Sequence, residues 1–306
     1  MDVVQQLVNG VFLGSIYAVF AVGYTLVFGV LGVVNLAHSG VFMLAAAITY
    51  GLVVFHGAPI WLAAPAGLLA AAGLGLVIEL GALRPLRRRQ APEIAPLIST
   101  IGLSLVFVAL VEQSRGGGWL SFVWRDGANS VRFPAGTVPD RVWHVGRLAM
   151  PADKVATVVI SVLLMAVLGV VVNRTQVGRA MRAVAENPRA ACLLGIDVDR
   201  IVLWTVVASS AMAGLAGILY GVTIGDISPY IGRDQVELRG LAVIVLGGVG
   251  SIRGSIVAAY LLGMVEVLAL LGFGANVRAA VAFAALFGML VVRPGGLFAS
   301  PAAERA

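Results

Sequence analysis

Residues 7–31 read LVNGVFLGSIYAVFAVGYTLVFGVL, 25 positions without a charge. As a helix rising about 1.5 Å per residue, the run is about 37 Å long. A hydrocarbon core of roughly 30 Å needs about 20 such residues. The apolar positions are continuous and do not alternate, which favours a spanning helix over a barrel strand. The run is too long for the apolar centre of a signal peptide, and Asp2 stands where a basic flank belongs.

Working outward, further apolar runs of spanning length lie at 36–56, 59–83, 95–113, 153–173, 201–222, 240–271 and 276–292. Only 12% of the 306 residues are charged and 60% are hydrophobic, against about 25% charged in an ordinary soluble domain. The expected fold is an all-α polytopic membrane protein, a single transmembrane domain over 1–306 with about eight transmembrane helices. One or two of its elements are expected to be broken or re-entrant. The run 240–271 would be about 48 Å long as one helix, yet Gly247-Gly248-Val249-Gly250-Ser251-Ile252-Arg253-Gly254 interrupts it. Such backbone is tolerated at membrane depth only where protein buries it or it lines a cavity. Val30-Leu31-Gly32-Val33-Val34-Asn35 echoes Val245-Leu246-Gly247-Gly248-Val249-Gly250 at four of six positions, and paired breaks of this kind mark solute paths in transporters.

Of the 21 basic residues only Lys154 is a lysine, and the net charge is +6. In a soluble chain this balance would point to nucleic acid; here it points to loops facing anionic lipid, with no nucleic-acid partner. Segments 84–93 and 174–200 hold nine arginines in 37 residues, against five in the 39 residues of 114–152. Two spans separate the first two segments, which places them on one side, and the arginine bias makes that side cytoplasmic. The segment 114–152 on the other side carries Trp119, Trp124 and Trp143 beside Phe122 and Phe133, suited either to an aromatic belt or to docking an external partner.

Enzymatic chemistry finds little support. One cysteine, Cys192, excludes an internal disulfide, and His38, His56 and His144 show no metal-ligand spacing. No H-E-x-x-H or G-x-S-x-G occurs, and the sole lysine, in Asp153-Lys154-Val155, excludes a P-loop. Glu79, Glu112, Arg253, Glu266 and Arg278 lie in or beside apolar runs, where charge is costly. Glu79 and Glu112 sit near span ends, within reach of the interface. Glu266 and Arg253 lie deeper, and as a pair or facing a cavity they would suit an ion- or proton-coupled secondary transporter that works alone.

After Arg174, Asn187-Pro188 reads as an N-cap with proline at the first helical position. Arg189, Ala190, Ala191, Cys192, Leu193 and Leu194 continue the turn, and Gly195 supplies a left-handed stop. This helix of about two turns is either an ordinary interfacial helix or a lever whose apolar side enters a cytoplasmic partner. In 201–222, Ser210, Ala213, Gly214, Gly217 and Gly221 are spaced for close helix packing.

Several of these pieces resemble branched-chain amino acid ABC permeases. They are Gly14-Ser15-Ile16-Tyr17-Ala18, Gly23-Tyr24-Thr25-Leu26-Val27-Phe28-Gly29 and Asn35-Leu36-Ala37-His38, then Gly178 to Pro188 and Leu194-Gly195-Ile196-Asp197-Val198. Ala213 to Gly217, Val245 to Ser251 and Arg293-Pro294-Gly295-Gly296-Leu297-Phe298 continue the likeness in order. The family commonly reads Arg-Pro-Gln-Gly where this chain has Arg293-Pro294-Gly295-Gly296, and the likeness is poor over 114–152. The resemblance implies an ABC importer permease in the bacterial inner membrane, working with a second permease subunit, homologous or identical. It also implies two cytoplasmic ATPase subunits, which use the ATP, and a periplasmic solute-binding protein; the chain itself binds no cofactor. Residues 187–195 are then the coupling helix, and the solute is a branched-chain or related amino acid, urea or a short amide. Asn35, His38 and Ser39 together with Gly250 and Ser251 are the candidates for lining the translocation path.

Overall fold

A computed structural model describes residues 3–92, 94–115, 129–134, 136–138, 141–146, 148–273, 278–293 and 295–298. Helices α1 (Val3–Leu31), α2 (Ala37–Val54) and α3 (Ile60–Ile78) come first, and α3 runs through a π turn at Glu79–Leu83 into α4 (Arg84–Arg88). After α5 (Ile94–Arg115) come the strands β1 (Val142–Val145) and β2 (Leu148–Pro151), then α6 (Ala152–Arg174), α7 (Gln176–Glu186), α8 (Pro188–Leu193) and α9 (Val198–Ile224). A second π turn at Gly232–Glu237 leads into α10 (Leu238–Gly247), followed by α11 (Ile252–Phe273) and α12 (Arg278–Val292).

Among the described residues, seven helical segments are long and apolar enough to cross a membrane, and α12 is a shorter eighth. The run 240–271 is broken as its glycines predicted: α10 stops at Gly247, Gly248 and Gly250 take φ of +98° and +82°, and α11 starts at Ile252. The echo at 30–35 is likewise a helix end, with Gly32 at φ +70° after α1, and Gly29 lies against Gly250.

The core sits around α1, whose apolar window is 89% buried, against 17% for α5 and 22% for α6. A helix apolar on all sides belongs at the centre of such a bundle, and α1 packs against α6, α9, α10 and α11. Gly10 and Gly14 let α11 approach: an added Cβ would stand 2.8 Å from the Cα of Met264 or of Tyr260. The small residues of α9 serve the packing expected of them. A Cβ on Gly217 would collide with the carbonyl of Phe42 on α2, and one on Gly214 with Ala71 on α3.

At one end, the strands pair antiparallel with Val142 opposite Pro151, and the Gln5 amide adds to their edge. Its Nε2 donates to the Ala149 carbonyl at 3.0 Å while its Oε1 accepts from the Ala149 amide at 2.9 Å. Trp143 is half exposed on β1, and Phe133 meets Tyr50 with ring centroids 5.8 Å apart; Trp119, Phe122 and Trp124 lie outside the described residues. At the other end, the C-terminal segment explains its own motif. The amides of Leu297 and Phe298 donate to the carbonyls of Leu246 and Gly247 at 2.8 and 3.1 Å, satisfying acceptors that the end of α10 leaves open.

Candidate functional site

The two arginine-rich segments meet at one end of the bundle. Asp199 at the start of α9 accepts from Arg84, Arg87 and Arg88 at 3.0, 2.7 and 2.8 Å. Glu79 is fully buried in the first π turn and paired with Arg87 at 2.8 Å, a link that ties α3 and α4 to this end.

On that end stands α8. The Asn187 side chain accepts from the Ala190 amide at 3.0 Å, Pro188 occupies the first turn, and Gly195 has φ +81°. The cap, the proline and the left-handed glycine are those the sequence predicts. Only Ala191 of this helix is buried; Arg189, Ala190 and Cys192 are exposed, and Leu193 and Leu194 are 90% and 80% exposed. Beneath it, Leu31, Arg87, Val184, Pro188 and Val198 border a cavity of about 240 Å³.

The first predicted path group lies deep in the bundle. His38 Nε2 is 3.1 Å from the carbonyl oxygen of Phe20, and its Nδ1 is 3.2 Å from the Ser209 hydroxyl. Phe20 is near the middle of the run 7–31, about 16 Å along the helix from Leu31. The chain therefore turns back at 32–36 and starts α2 at mid-height. Asn35 holds that start, accepting from the Ala37 amide at 3.2 Å, while the Thr100 hydroxyl accepts from the Leu36 amide at 3.2 Å. The Ser39 hydroxyl has the Leu36 carbonyl at 3.0 Å and Glu237 Oε2 at 3.1 Å.

Asn35, His38 and Ser39 are 2%, 1% and 1% exposed, so they lie inside the bundle and not on its surface. Phe20 and Tyr24 pack on the His38 ring at centroid distances of 4.7 and 5.1 Å. The second group stands elsewhere. Gly250 is exposed beside Gly29 at the arginine-rich end, and Ser251 caps α11 by accepting from the Gly254 amide at 3.1 Å. The structure does not bring the two groups together.

Nor does it pair Glu266 with Arg253. Arg253 is exposed on the first turn of α11. Glu266 is fully buried and meets Arg239 Nε at 2.8 Å, while the Tyr17 hydroxyl donates to its second oxygen at 2.8 Å. Both carboxylate oxygens are thus engaged, and the arginine also donates to the Gln235 carbonyl. Glu112 is exposed and accepts from the Tyr230 hydroxyl; the side chain of Arg278 lies outside the described residues.

Sequence reading missed one element that matters. After α9 the chain returns through Ile227, which bridges Val131, and enters the second π turn. There Gly232 lies against the backbone of Ser39, and a Cβ would collide with the Ser39 carbonyl. Two helical starts, of α2 and of the segment leading into α10, therefore meet near mid-height. Arg233, Asp234 and Gln235 lie on its exposed side. No hydropathy signal marks this contact, because 223–239 reads as an ordinary polar loop.

A bundle of spanning helices whose interrupted elements meet in its middle defines a polytopic membrane transport protein. The chain belongs to the family described as branched-chain amino acid transport system, permease component, whose model matches residues 6–292. It is 33% identical to the high-affinity branched-chain amino acid transport system permease protein LivH of Escherichia coli K12, over 98% of this chain and 97% of that one. It is 32% identical to the permease protein BraD of Pseudomonas aeruginosa, with the same coverage. A more distant relative is the autoinducer 2 import system permease protein LsrC of Yersinia enterocolitica, 29% identical over 65% of this chain and 52% of that one. No solved structure matches. The chain is a multi-pass permease subunit, a transport component and not an enzyme.

Proposed function

We propose that this permease carries branched-chain or related amino acids across the bacterial inner membrane. It does so as half of a translocation path completed by a second permease subunit. Two ATPase subunits bind and hydrolyse ATP on the cytoplasmic side, and a periplasmic binding protein delivers the solute. The arginine-rich end, with 84–93 and 174–200, is the cytoplasmic one, and 114–152 faces the periplasm.

The observation that carries this reading is α8. An exposed, rigidly capped helix tip bearing two leucines at 90% and 80% exposure fits a hydrophobic socket on a partner. Residues 187–195 thus act as the coupling helix. Asn35, His38 and Ser39 keep the start of α2 at mid-height behind the path, and the Gly250–Ser251 break lets α10 and α11 shift against α1.

The test is purification of the tagged protein from mild detergent with its co-expressed partners, followed by reconstitution. Co-purified ATPases, and uptake that needs internal ATP and loaded binding protein, are expected. Leu194→Asp should leave the protein folded yet uncouple hydrolysis from uptake. Recovery of this chain alone, transporting without ATP, would overturn the reading.

A further inference from the structure

The π turn at Gly232–Glu237 places charge where a lipid-facing surface does not hold it. Its inner side is fixed: Gly232 and Val236 are buried, Glu237 meets Ser39, and the following Arg239 is consumed by Glu266. Its outer side presents Arg233 and Asp234, with side chains 58% and 55% exposed and a loose contact of 3.4 Å between them. The depth follows from two contacts, Gly232 on the Ser39 backbone and His38 on the carbonyl of Phe20, the middle of α1's apolar run. Ionisable side chains at such depth face a bundle interior or a water-filled cavity and not hydrocarbon. The Arg233 guanidinium also stacks on the Tyr230 ring at 5.7 Å, and the Tyr230 hydroxyl is held by Glu112. This anchors the arginine from behind, and among the described residues only its Nε is engaged, by Asp234. π turns recur at functional sites because their extra residue re-aims side chains without ending the helix.

We propose that Arg233 and Asp234 form a transit site for the head of a zwitterionic amino acid on the translocation path. The guanidinium takes the α-carboxylate in a forked, charge-assisted contact, and the Asp234 carboxylate takes the α-ammonium. The pair is neutral as a unit and so is the solute head, so the solute exchanges one set of ion pairs for another. Its apolar side chain makes no demand on this site, which suits a path that serves several amino acids. The long contact between the two residues leaves them ready to part, as a transit site requires, whereas the 2.8 Å contact of Arg239 with Glu266 does not.

The proposal rests on the permease reading, and its test separates the two. The complete complex is reconstituted in proteoliposomes with internal ATP and external binding protein loaded with leucine. Absence of ATP-dependent uptake by the unaltered complex would sink the permease reading itself. Given that uptake, Arg233→Gln and Asp234→Asn should each slow it by about tenfold or more, as loss of one charge-assisted contact implies. Hydrolysis stimulated by the binding protein should persist in both. In parallel, Arg233→Cys and Asp234→Cys in a Cys192→Ser background should react with a membrane-impermeant charged thiosulfonate, more slowly in excess leucine. Leu163→Cys on the apolar face of α6 should not react. Unaltered uptake in both charge variants, or cysteines at 233 and 234 that stay unreactive in the assembled complex, would overturn the proposal.

Discussion

Arg239 and Arg233 stand six residues apart on one continuous helical segment, and each has a carboxylate partner, yet their surroundings are opposite. Arg239 and Glu266 have side chains 7% and 0% exposed at 2.8 Å; Arg233 and Asp234 are 58% and 55% exposed at 3.4 Å. The first pair joins α10 to α11 and, through Tyr17, to α1. The second joins neighbours on one turn and fixes nothing distant. Residue type and approximate depth do not separate a structural charge from a working one here. The number of committed partners does. A buried pair must have its lone pairs and protons satisfied, while a transit site must keep its donors and acceptors available.

Breaking the buried pair should have the largest effect. Glu266→Ala leaves Arg239 charged, buried and facing the vacated site, at a cost of about 3–5 kcal/mol. The expected outcome is loss of folded protein, read as a collapsed size-exclusion peak and a lowered detergent melting temperature. Replacing both partners by methionine removes the charge as well as its partner, and buried pairs replaced in this way often lose nothing. Recovery in Arg239→Met/Glu266→Met would mark the pair as structural; a double variant that folds but does not transport would show that the comparison is drawn too sharply. Next in size is Gly217→Leu, since a side chain there collides with the Phe42 backbone. Overpacking of this kind costs about 1–3 kcal/mol, and the same melting experiment measures it. Stability unchanged by Gly217→Leu would mean that α2 and α9 can separate at this contact.

Much of this architecture was legible in the sequence. Length and hydropathy placed the spans, because one helix crosses a bilayer with no help from its neighbours. The glycine run 247–250 predicted the break, and Asn187, Pro188 and Gly195 predicted α8, because caps act over three or four residues. The site was less legible because its chemistry is long-range. Glu266 looked open for Arg253, but its partner is Arg239, 27 positions earlier in the chain and just outside an apolar run. Asn35, His38 and Ser39 stood out as polar residues beside a helix start, yet pattern alone does not tell a wall from the space it encloses. Arg233 and Asp234 carry no apolar signal in the sequence; the contacts of Gly232 and Glu237 with Ser39 bring their turn into the bundle.

Two smaller effects sharpen the contrast between fixed and free polar groups. Asn187→Ala removes the cap of α8, a change worth about 1 kcal/mol at helix starts. Because α8 is exposed except at Ala191, the loss should be local: faster hydrogen exchange at 189–194 with the global melting point unmoved. A global drop would mean that α8 supports the bundle and does not simply ride on it. The smallest effect belongs to Arg233→Gln. Its contact with Asp234 is long and more than half exposed, and exposed pairs contribute about 0–1 kcal/mol. The melting temperature should stay within error of the parent even as uptake falls. Stability and transport would then divide along the line that burial draws, with Glu266→Ala losing both and Arg233→Gln losing only transport. If Arg233→Gln instead unfolds the protein, the arginine has a committed partner in the assembled complex, and the exposed pair belongs with the buried one.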